Sequence, residues 1–393
     1  MKLLLFAHTP PPHHGQSYMV KLMLEGFGGD QRRPGAAAET PVACYHVNAR
    51  FSDGMDDIGK MRGGKGLRLL RYCAEALWCR FRYGVRTLYH IPAPGKRSAL
   101  YRDWVLLLLC RPFFPHRVMH WHAVGLEAWL KREGYWWERA ISRRLYADAD
   151  LGITLTEAFE PEAAAFRSRK IVKVPNGIPD LCPDYAHRIR PLREKRARER
   201  LTHRSRSEAS PLLYRALFLG HCTREKGVFD LLEAVALVNS DPASRLRVVV
   251  TMAGSFVSNR EEAAIRERMA RPDLAGAIHY IGFIGPEEKI RLLEEVDCLL
   301  FPSHWESFGL VVLEAMACGA AVLTTRCCAL PELLPEDYPG LVPVGLPGAI
   351  AEALLRLAAL DPADSLRARF EAHFTMTRYL DRLRAALLSV DAP

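Results

Sequence analysis

The segment PSHWESFGLVVLEAMACGAAVLTT, residues 302–325, constrains the fold of this chain more than any other stretch. The apolar run DCLLF (297–301) predicts a buried strand, and LVVLEAMAC predicts a helix that is capped near Ser307 and ends at Gly319. AAVLTT predicts the next strand. A strand, a helix and a strand with short connections form a parallel crossover unit. In such units ligands bind at the carboxyl ends of the strands.

Two carboxylates lie in this unit, Glu306 in the loop and Glu314 within the predicted helix. Two glutamates at this spacing are most often structural. Carboxylates accept hydrogen bonds, and a helix N-terminus attracts anions. Together they suit a ligand that has both hydroxyl and phosphate groups, such as a nucleotide sugar.

The residues around these glutamates carry a family resemblance. Pro302, Ser303, the Glu-Ser-Phe-Gly turn and the small-residue helix end at Gly319 resemble the signature of the retaining GT-B glycosyltransferases, the "glycosyl transferases group 1" type or family four. The resemblance implies an α/β chain with the GT-B fold, in which two Rossmann-like parallel α/β domains face a cleft. It covers nearly the whole chain and is most specific over residues 211–335.

The length and the pattern of elements agree with two domains. A chain of 393 residues suits two domains, and strand-like and helical segments alternate on both sides of a charged stretch, 185–210. We expect an acceptor-side domain over 1–184, a linker over 185–210 and a nucleotide-sugar domain over 211–375. The resemblance implies that the C-terminal helix, within 376–393, crosses back onto the first domain.

The net charge of +9 is unevenly distributed. Residues 1–210 carry 36 Lys+Arg and 21 Asp+Glu, whereas residues 211–393 carry 18 and 24. A basic first half favours an anionic partner. No nucleic-acid motif is evident, so an anionic membrane surface or a lipid-phosphate acceptor fits better. The stretch 63–86 predicts a basic amphipathic helix, which either lies on lipid or packs its apolar stripe on a sheet.

The location follows from what the sequence lacks. No apolar run reaches the roughly 18–20 residues of a membrane span, and the first residues lack a signal-peptide cleavage site. The ten cysteines show no C-x-x-C pair, which indicates free thiols. We expect a cytoplasmic protein, either free or peripheral on the inner face of the membrane.

A second motif, FLGHCTREKGVFDLLEA (218–234), predicts a strand, a short loop and a helix that opens at Lys226–Gly227. A lysine there can reach a diphosphate and offset the charge on a leaving group. It can equally be a solvated residue at a helix start. The family pattern has an arginine where this chain has His221, and Arg224 in the same loop is the candidate to take its place.

Two further segments carry candidate residues. In RVMHWHAVG (117–125), His120 and His122 point to the same side of a predicted strand. Histidines on strands are usually structural, but the family places one near the donor sugar, and His122 is the better match. In PPPHHGQS (10–17) the family has a Gly-Gly turn, of which this chain keeps Gly15.

The resemblance assigns a role to each matching position. Glu314 would bind the ribose hydroxyls, and Glu306 the sugar hydroxyls. The catalytic candidates are His122, Glu306 and Lys226. The donor-binding candidates are Gly15, Arg224, Lys226, Ile284 (main chain, to the base), Glu306, Phe308, Gly309, Leu310 (backbone N–H groups, to the diphosphate) and Glu314. No cofactor and no metal is expected, and Asp148-Ala-Asp150 is taken as an ordinary turn rather than a metal-binding D-x-D.

The expected activity is that of a metal-independent retaining glycosyltransferase. It would move a sugar from a UDP- or GDP-sugar to a sugar or lipid-linked acceptor hydroxyl, in cell-surface polysaccharide or glycolipid synthesis. Two alternatives stay open. One is a nucleotide-sugar 2-epimerase of the same architecture, and the other is a non-catalytic nucleotide-sugar-binding protein.

Overall fold

The computed structural model describes residues 1–11, 14–37, 40–51, 64–123, 125–205, 211–242, 244–360 and 363–390. The chain divides into two compact units. Unit 1 consists of Met1–Asn176 and Thr377–Pro393, and unit 2 of Gly177–Met376. None of the described helices is both long and apolar enough to cross a membrane.

Unit 1 is built on a parallel sheet whose described strands run in the order β2-β1-β3-β4-β5-β6. These strands are β1 Lys2–Ala7, β2 Ala43–Asn48, β3 Thr87–His90, β4 His116–Trp121, β5 Leu151–Thr154 and β6 Ile171–Lys173. The helices between them are α1 Gly15–Gly26, α2 Gly64–Tyr83, α3 Arg97–Cys110, α4 Leu126–Arg132, α5 Trp136–Tyr146 and α6 Glu160–Ala165. Leu3, Leu4 and Leu5 are all buried, as in a strand that is covered on both faces.

Unit 2 repeats this plan with the order β12-β11-β10-β7-β8-β9. Its strands are β7 Leu212–Leu219, β8 Leu246–Ala253, β9 Ile278–Gly282, β10 Cys298–Phe301, β11 Ala321–Thr325 and β12 Leu341–Val342. Its helices are α7 Arg190–Ser205, α8 Val228–Ser240, α9 Asn259–Met269, α10 Pro286–Glu295, α11 Leu310–Ala317, α12 Leu330–Leu333, α13 Pro347–Ala359 and α14 Ala363–His373. All the described strand pairings are parallel.

Each sheet has one place where the strand order reverses. In unit 1 it lies between the neighbours β1 and β3, and in unit 2 between the neighbours β7 and β10. Connections leave such a pair in opposite directions and open a crevice at the carboxyl ends of the strands. The two best motifs of unit 2 follow β7 and β10, so they meet at this crevice.

The segment that the charge pattern suggested as a linker differs from that expectation. Residues Tyr185–Ile189 form a π-helical turn and α7 continues from it, within unit 2. The buried Arg193 guanidinium donates to the carbonyl oxygens of Leu293, Val296 and Cys318 at 2.7, 2.9 and 2.8 Å. The described part of this segment therefore packs as a structural helix; residues 206–210 lie outside the described residues.

The C-terminal helix α15, Met376–Leu388, belongs to unit 1 from Thr377 onward. Tyr379, Leu383 and Leu387 are buried. A Cβ atom on Gly26 at the end of α1 would lie 2.4 Å from the Leu380 side chain, so the two helices pack closely.

Candidate functional site

The crevice of unit 2 is closed at its base by a backbone contact that only glycine permits. Gly227 precedes α8 with φ 74°, and a Cβ atom on it would lie 1.9 Å from the Pro302 carbonyl oxygen. The φ value and the missing space both exclude a side chain there. This contact fixes the loop after β7 against the loop after β10.

The same contact brings Lys226 and Glu306 together, although 80 residues separate them in the sequence. The Lys226 ammonium donates to Glu306 Oε2 at 2.9 Å and to the Trp305 carbonyl oxygen at 2.8 Å. Both side chains are mostly buried, with 19% and 18% of their side-chain surface exposed. A cation and a carboxylate are thus held side by side at the crevice.

The helix after this loop begins later than the sequence suggested. The expectation that Ser307 caps it is wrong: α11 begins at Leu310, and its N-cap is Gly309 with φ 92° and no side-chain capping bond. Glu306 Oε1 instead accepts a 3.4 Å hydrogen bond from the Phe308 backbone N–H. Phe308, Gly309 and Leu310 therefore form the turn into α11, directly after Glu306.

Glu314 lies one turn into α11 and is buried against a partner that the sequence did not reveal. Its Oε1 accepts a hydrogen bond from the Lys289 ammonium of α10 at 2.5 Å. Burial raises the pKa of Glu314, and the charge and hydrogen bond of Lys289 oppose that rise. No local sequence pattern indicates that Lys289 contacts Glu314, which lies 25 residues further along the chain.

The remaining unit 2 candidates lie in loops at the carboxyl edge of the same sheet and take no part in the two ion pairs. The exposed Arg224 guanidinium lies 4.2 Å from the ring centre of Phe229, so its side chain stacks on α8. His221 is exposed in the same loop. Ile284 lies in the loop between β9 and α10, beside the fully projecting Phe283, which is 80% exposed.

A pair of adjacent cysteines completes the surroundings of Glu306. The sulfur of the buried Cys327 lies 3.3 Å from the Ser303 carbonyl oxygen. Its hydrogen bond to Cys328 lowers the pKa of the Cys328 thiol to about 6. A hydrogen bond with the Glu306 backbone and the positive charge of Lys226 also lower this pKa. Burial and the negative charge of Glu306 act to raise it. The sequence showed the adjacent pair but nothing about its position.

The crevice of unit 1 is lined by histidines. His14 is the N-cap of α1, where its Nδ1 accepts a hydrogen bond from the Ser17 N–H at 3.3 Å. Its Nε2 lies 2.9 Å from Nε2 of His8, which follows β1. Because Nδ1 of His14 accepts, its proton is on Nε2 in the neutral ring and points to His8. Gly15 is the exposed first residue of α1.

His122 lies at the end of β4 beside His120, with 3.3 Å between its Nε2 and His120 Nδ1. The Tyr89 hydroxyl also contacts His120 Nδ1. Burial, with a smaller contribution from His14, lowers the pKa of His122 to about 3. His122 is therefore neutral at physiological pH and can act as a hydrogen-bonding group, not as a cation.

The rejected D-x-D segment has structural contacts. Asp150 Oδ2 accepts from the Arg117 backbone N–H at 2.9 Å, and Asp148 adopts a left-handed conformation with φ 57°. Across the described ranges, no three His, Cys, Asp or Glu side chains are grouped so that they could hold a metal ion.

Comparison with known sequences points to one family. The family described as "Glycosyl transferases group 1" matches residues 202–373. A D-inositol 3-phosphate glycosyltransferase of Corynebacterium jeikeium is 33% identical over 184 residues, which cover 44% of this chain and 44% of that protein. A glycogen synthase of Mycobacterium tuberculosis is 27% identical over 261 residues, or 66% of this chain and 53% of the relative. These matches thus span only about half of either relative.

Solved structures match over the entire length. A sucrose-phosphate synthase from Thermosynechococcus elongatus has a TM-score of 0.69 at 18% identity, and the match covers 100% of both chains. HepE from Anabaena, solved in complex with UDP and glucose, has a TM-score of 0.64 at 17% identity over 99% of this chain and 100% of its own. These likenesses confirm the GT-B fold expected from the sequence.

Proposed function

We propose that this chain, whose residues 202–373 match the glycosyl transferases group 1 family, transfers a sugar from a nucleotide-diphospho-sugar to an acceptor hydroxyl, with retention at the anomeric carbon and without a metal ion. The observation that carries the proposal is the Lys226–Glu306 pair at the strand-order reversal of unit 2. It provides a cation for a diphosphate and a carboxylate for hydroxyls within one crevice.

Lys226 is the proposed electrostatic catalyst. As the bond between the sugar and the diphosphate breaks, negative charge grows on the leaving phosphate. The ammonium of Lys226 is already held in place by Trp305 and Glu306, so it stabilises that charge without rearrangement. The backbone N–H groups of Gly309 and Leu310, at the start of α11, add the positive end of a helix.

Glu306 and Glu314 are the proposed hydroxyl-binding groups. An ionised carboxylate only accepts hydrogen bonds, so it suits the hydroxyls of a sugar or a ribose. Glu306 lies next to Lys226 and would bind the hydroxyls of the transferred sugar. Glu314 would hold the ribose, and the main chain of Ile284 the base.

The proposed route to retention needs no protein nucleophile. The acceptor hydroxyl attacks from the face that the diphosphate leaves, and the departing phosphate oxygen takes the hydroxyl proton. His122, neutral because of its lowered pKa, would orient a donor sugar hydroxyl by a hydrogen bond. Both carboxylate oxygens of Glu306 already accept hydrogen bonds, from Lys226 and from the Phe308 backbone N–H, which argues against Glu306 acting as a glycosidase-like nucleophile.

The donor and the acceptor belong to the proposal as well. The Anabaena neighbour was solved with UDP and glucose, which makes a UDP-sugar the first donor to test, with GDP-sugars second. For the acceptor we propose a sugar or a lipid-linked sugar at the inner face of a membrane, in polysaccharide or glycolipid synthesis. The basic first half of the chain supports an anionic acceptor.

A thermal-shift screen across UDP-, GDP- and ADP-sugars tests the donor. A ligand that binds the folded protein raises the unfolding temperature in proportion to the logarithm of its concentration over Kd. We expect one nucleotide to raise it in the wild type and to do so much less in Lys226→Ala. Lys195→Ala, which removes an exposed cation of α7, is the matched control.

Product analysis then separates this function from the alternatives. Transfer requires an acceptor, whereas an epimerase would rearrange the donor sugar alone. Rearranged sugar in the absence of any acceptor would reject the transferase in favour of the epimerase. A donor that binds but never turns over with any acceptor would indicate a binding protein.

A further inference from the structure

The outer surface of α2 carries an apolar stripe that no described residue covers. Helix α2 has an inner stripe, formed by Leu69, Cys73, Ala76 and Cys79, that is buried in the core of unit 1. A second stripe, at positions 67, 70, 74, 78 and 81, points outward with intervals of three and four residues, which is one helix face. Its large members are Leu67 at 74%, Leu70 at 52%, Trp78 at 51% and Phe81 at 68% exposure.

Neighbouring helices extend this surface. The Phe113 ring, in the turn after α3, lies 5.8 Å from the Phe81 ring, and the Arg80 guanidinium donates to the Phe113 carbonyl oxygen at 2.6 Å. Leu108 at the end of α3 is also exposed. On the far side α3 packs against α5, whose Trp136 is 75% exposed. We call the exposed apolar side chains of α2, α3, the following turn and α5 the outer face.

The charge of the outer face is strongly one-sided. Residues 64–83, 97–116 and 136–146 contain eleven Lys and Arg and three acids. Of the acids, Asp103 and Glu138 are buried, and Glu75 is paired with Arg32 at 2.6 Å. The exposed charges of these helices are therefore basic, and Arg71 and Arg82 flank the stripe on α2.

We propose that the outer face is a membrane-docking surface for anionic lipid. This inference rests on the proposed function only because a lipid-linked acceptor would lie at a membrane. Aromatic and aliphatic side chains between arginines fit the boundary between headgroups and acyl chains. There the rings enter the apolar layer and the guanidinium groups stay with the phosphates. A protein partner would have to be acidic and apolar over three helices, and a second copy would bring like charges together. The charge pattern therefore favours lipid.

Vesicle co-sedimentation of the full chain tests the surface. We expect binding to vesicles of phosphatidylcholine with phosphatidylglycerol, weak binding to phosphatidylcholine alone, and loss of binding at high salt. The double variant Arg71→Gln with Arg82→Gln should weaken binding about fivefold for each arginine removed. Trp78→Ala with Phe81→Ala should weaken it about tenfold or more.

A matched control and a second readout keep the two proposals separate. Lys195→Gln with Arg198→Gln removes two exposed cations of α7 and should leave vesicle binding unchanged. In all these variants the donor-induced thermal shift should stay at the wild-type value. If the shift is absent while vesicles bind, the donor assignment fails and the surface stands.

Two results would overturn the surface itself. One is equal binding to anionic vesicles by the wild type and both outer-face variants, or no binding at all. The other is a wild-type dimer in light scattering that Trp78→Ala with Phe81→Ala converts to a monomer, without any vesicle binding. That outcome would assign the stripe to a second copy.

Discussion

The crevices of the two units occupy equivalent places in two similar sheets, but one contains paired ions and the other contains neutral imidazole rings. In unit 2 the side chains are paired ions, Lys226 with Glu306 and Lys289 with Glu314. In unit 1 they are imidazoles such as His8 and His122, whose pKa values are lowered by burial to about 4 and about 3. The unit 2 crevice therefore suits a charged ligand, and the unit 1 crevice suits hydroxyl groups.

The largest expected effect comes from removing the cation of unit 2. Lys226→Ala should lower kcat by about 10²–10³, as does loss of one group that stabilises charge in a transition state. Arg224→Ala in the same loop should cost less than about tenfold, because its side chain stacks on Phe229. Steady-state transfer from the donor found in the thermal-shift screen measures both. Equal losses would reject the special role of Lys226.

The next effect belongs to the histidines of unit 1. A histidine whose pKa is lower in the folded protein than in the unfolded chain adds stability that is present above pH 6.5 and is lost as the pH falls below it. The pKa of His122 is about 3 in the folded protein. On acidification from pH 7 to pH 5, His122 should therefore lower the free energy of unfolding by about 2 kcal/mol. Urea denaturation at both pH values, with His122→Gln beside the wild type, checks this.

The His122→Gln variant should lose correspondingly less stability on acidification. His8 and His120 have lowered pKa values too, so the variant should keep part of the acid sensitivity. An identical loss in both proteins would mean that His122 titrates normally and that the contrast between the crevices is wrong.

A smaller effect should follow from changing the partner of Glu314. Without Lys289, burial alone acts on that carboxyl, so the pKa of Glu314 should rise further in Lys289→Met. Donor binding that needs the ionised carboxylate should then weaken about tenfold for each pH unit below that pKa. KM measured from pH 6 to pH 9 should therefore fall toward the wild-type value at the alkaline end. Lys289→Arg should behave like the wild type, and a pH-independent rise in KM would indicate a merely structural contact.

The smallest effect compares the two helix starts. His14 caps α1 through its side chain, whereas Gly309 opens α11 without one. His14→Ala should cost about 1 kcal/mol, the typical value for a lost N-cap, and Ser307→Ala should stay within about 0.5 kcal/mol. Chemical denaturation of the two variants measures both. If Ser307→Ala lost more unfolding free energy than His14→Ala, Ser307 would have to be a capping residue of α11 after all.

The sequence predicted the strands and the fold well because parallel strands that are buried on both faces appear as short apolar runs. AAVLTT and β11, Ala321–Thr325, differ by one residue. It also singled out Lys226 and Glu306 from separate motifs. Their contact depends on strand order, which local patterns do not encode.

What the sequence missed depends on long-range packing. The Lys289–Glu314 pair requires α10 and α11 to lie side by side. The charged segment 185–210 has the composition of a linker because it is rich in arginine. One of these arginines, Arg193, is nevertheless buried and donates to three carbonyl oxygens. Composition cannot show that a guanidinium has carbonyl partners far along the chain.

Arg193 also limits where a fragment of unit 2 can begin. Its three carbonyl partners lie at the C-terminal ends of α10 and α11, the helices that carry Lys289 and Glu314. The region of family similarity begins at residue 202, after this arginine. A fragment cut at that similarity boundary would leave buried carbonyl oxygens without donors. A fragment made for expression should therefore begin before this arginine, and the start of unit 2 at Gly177 meets that condition.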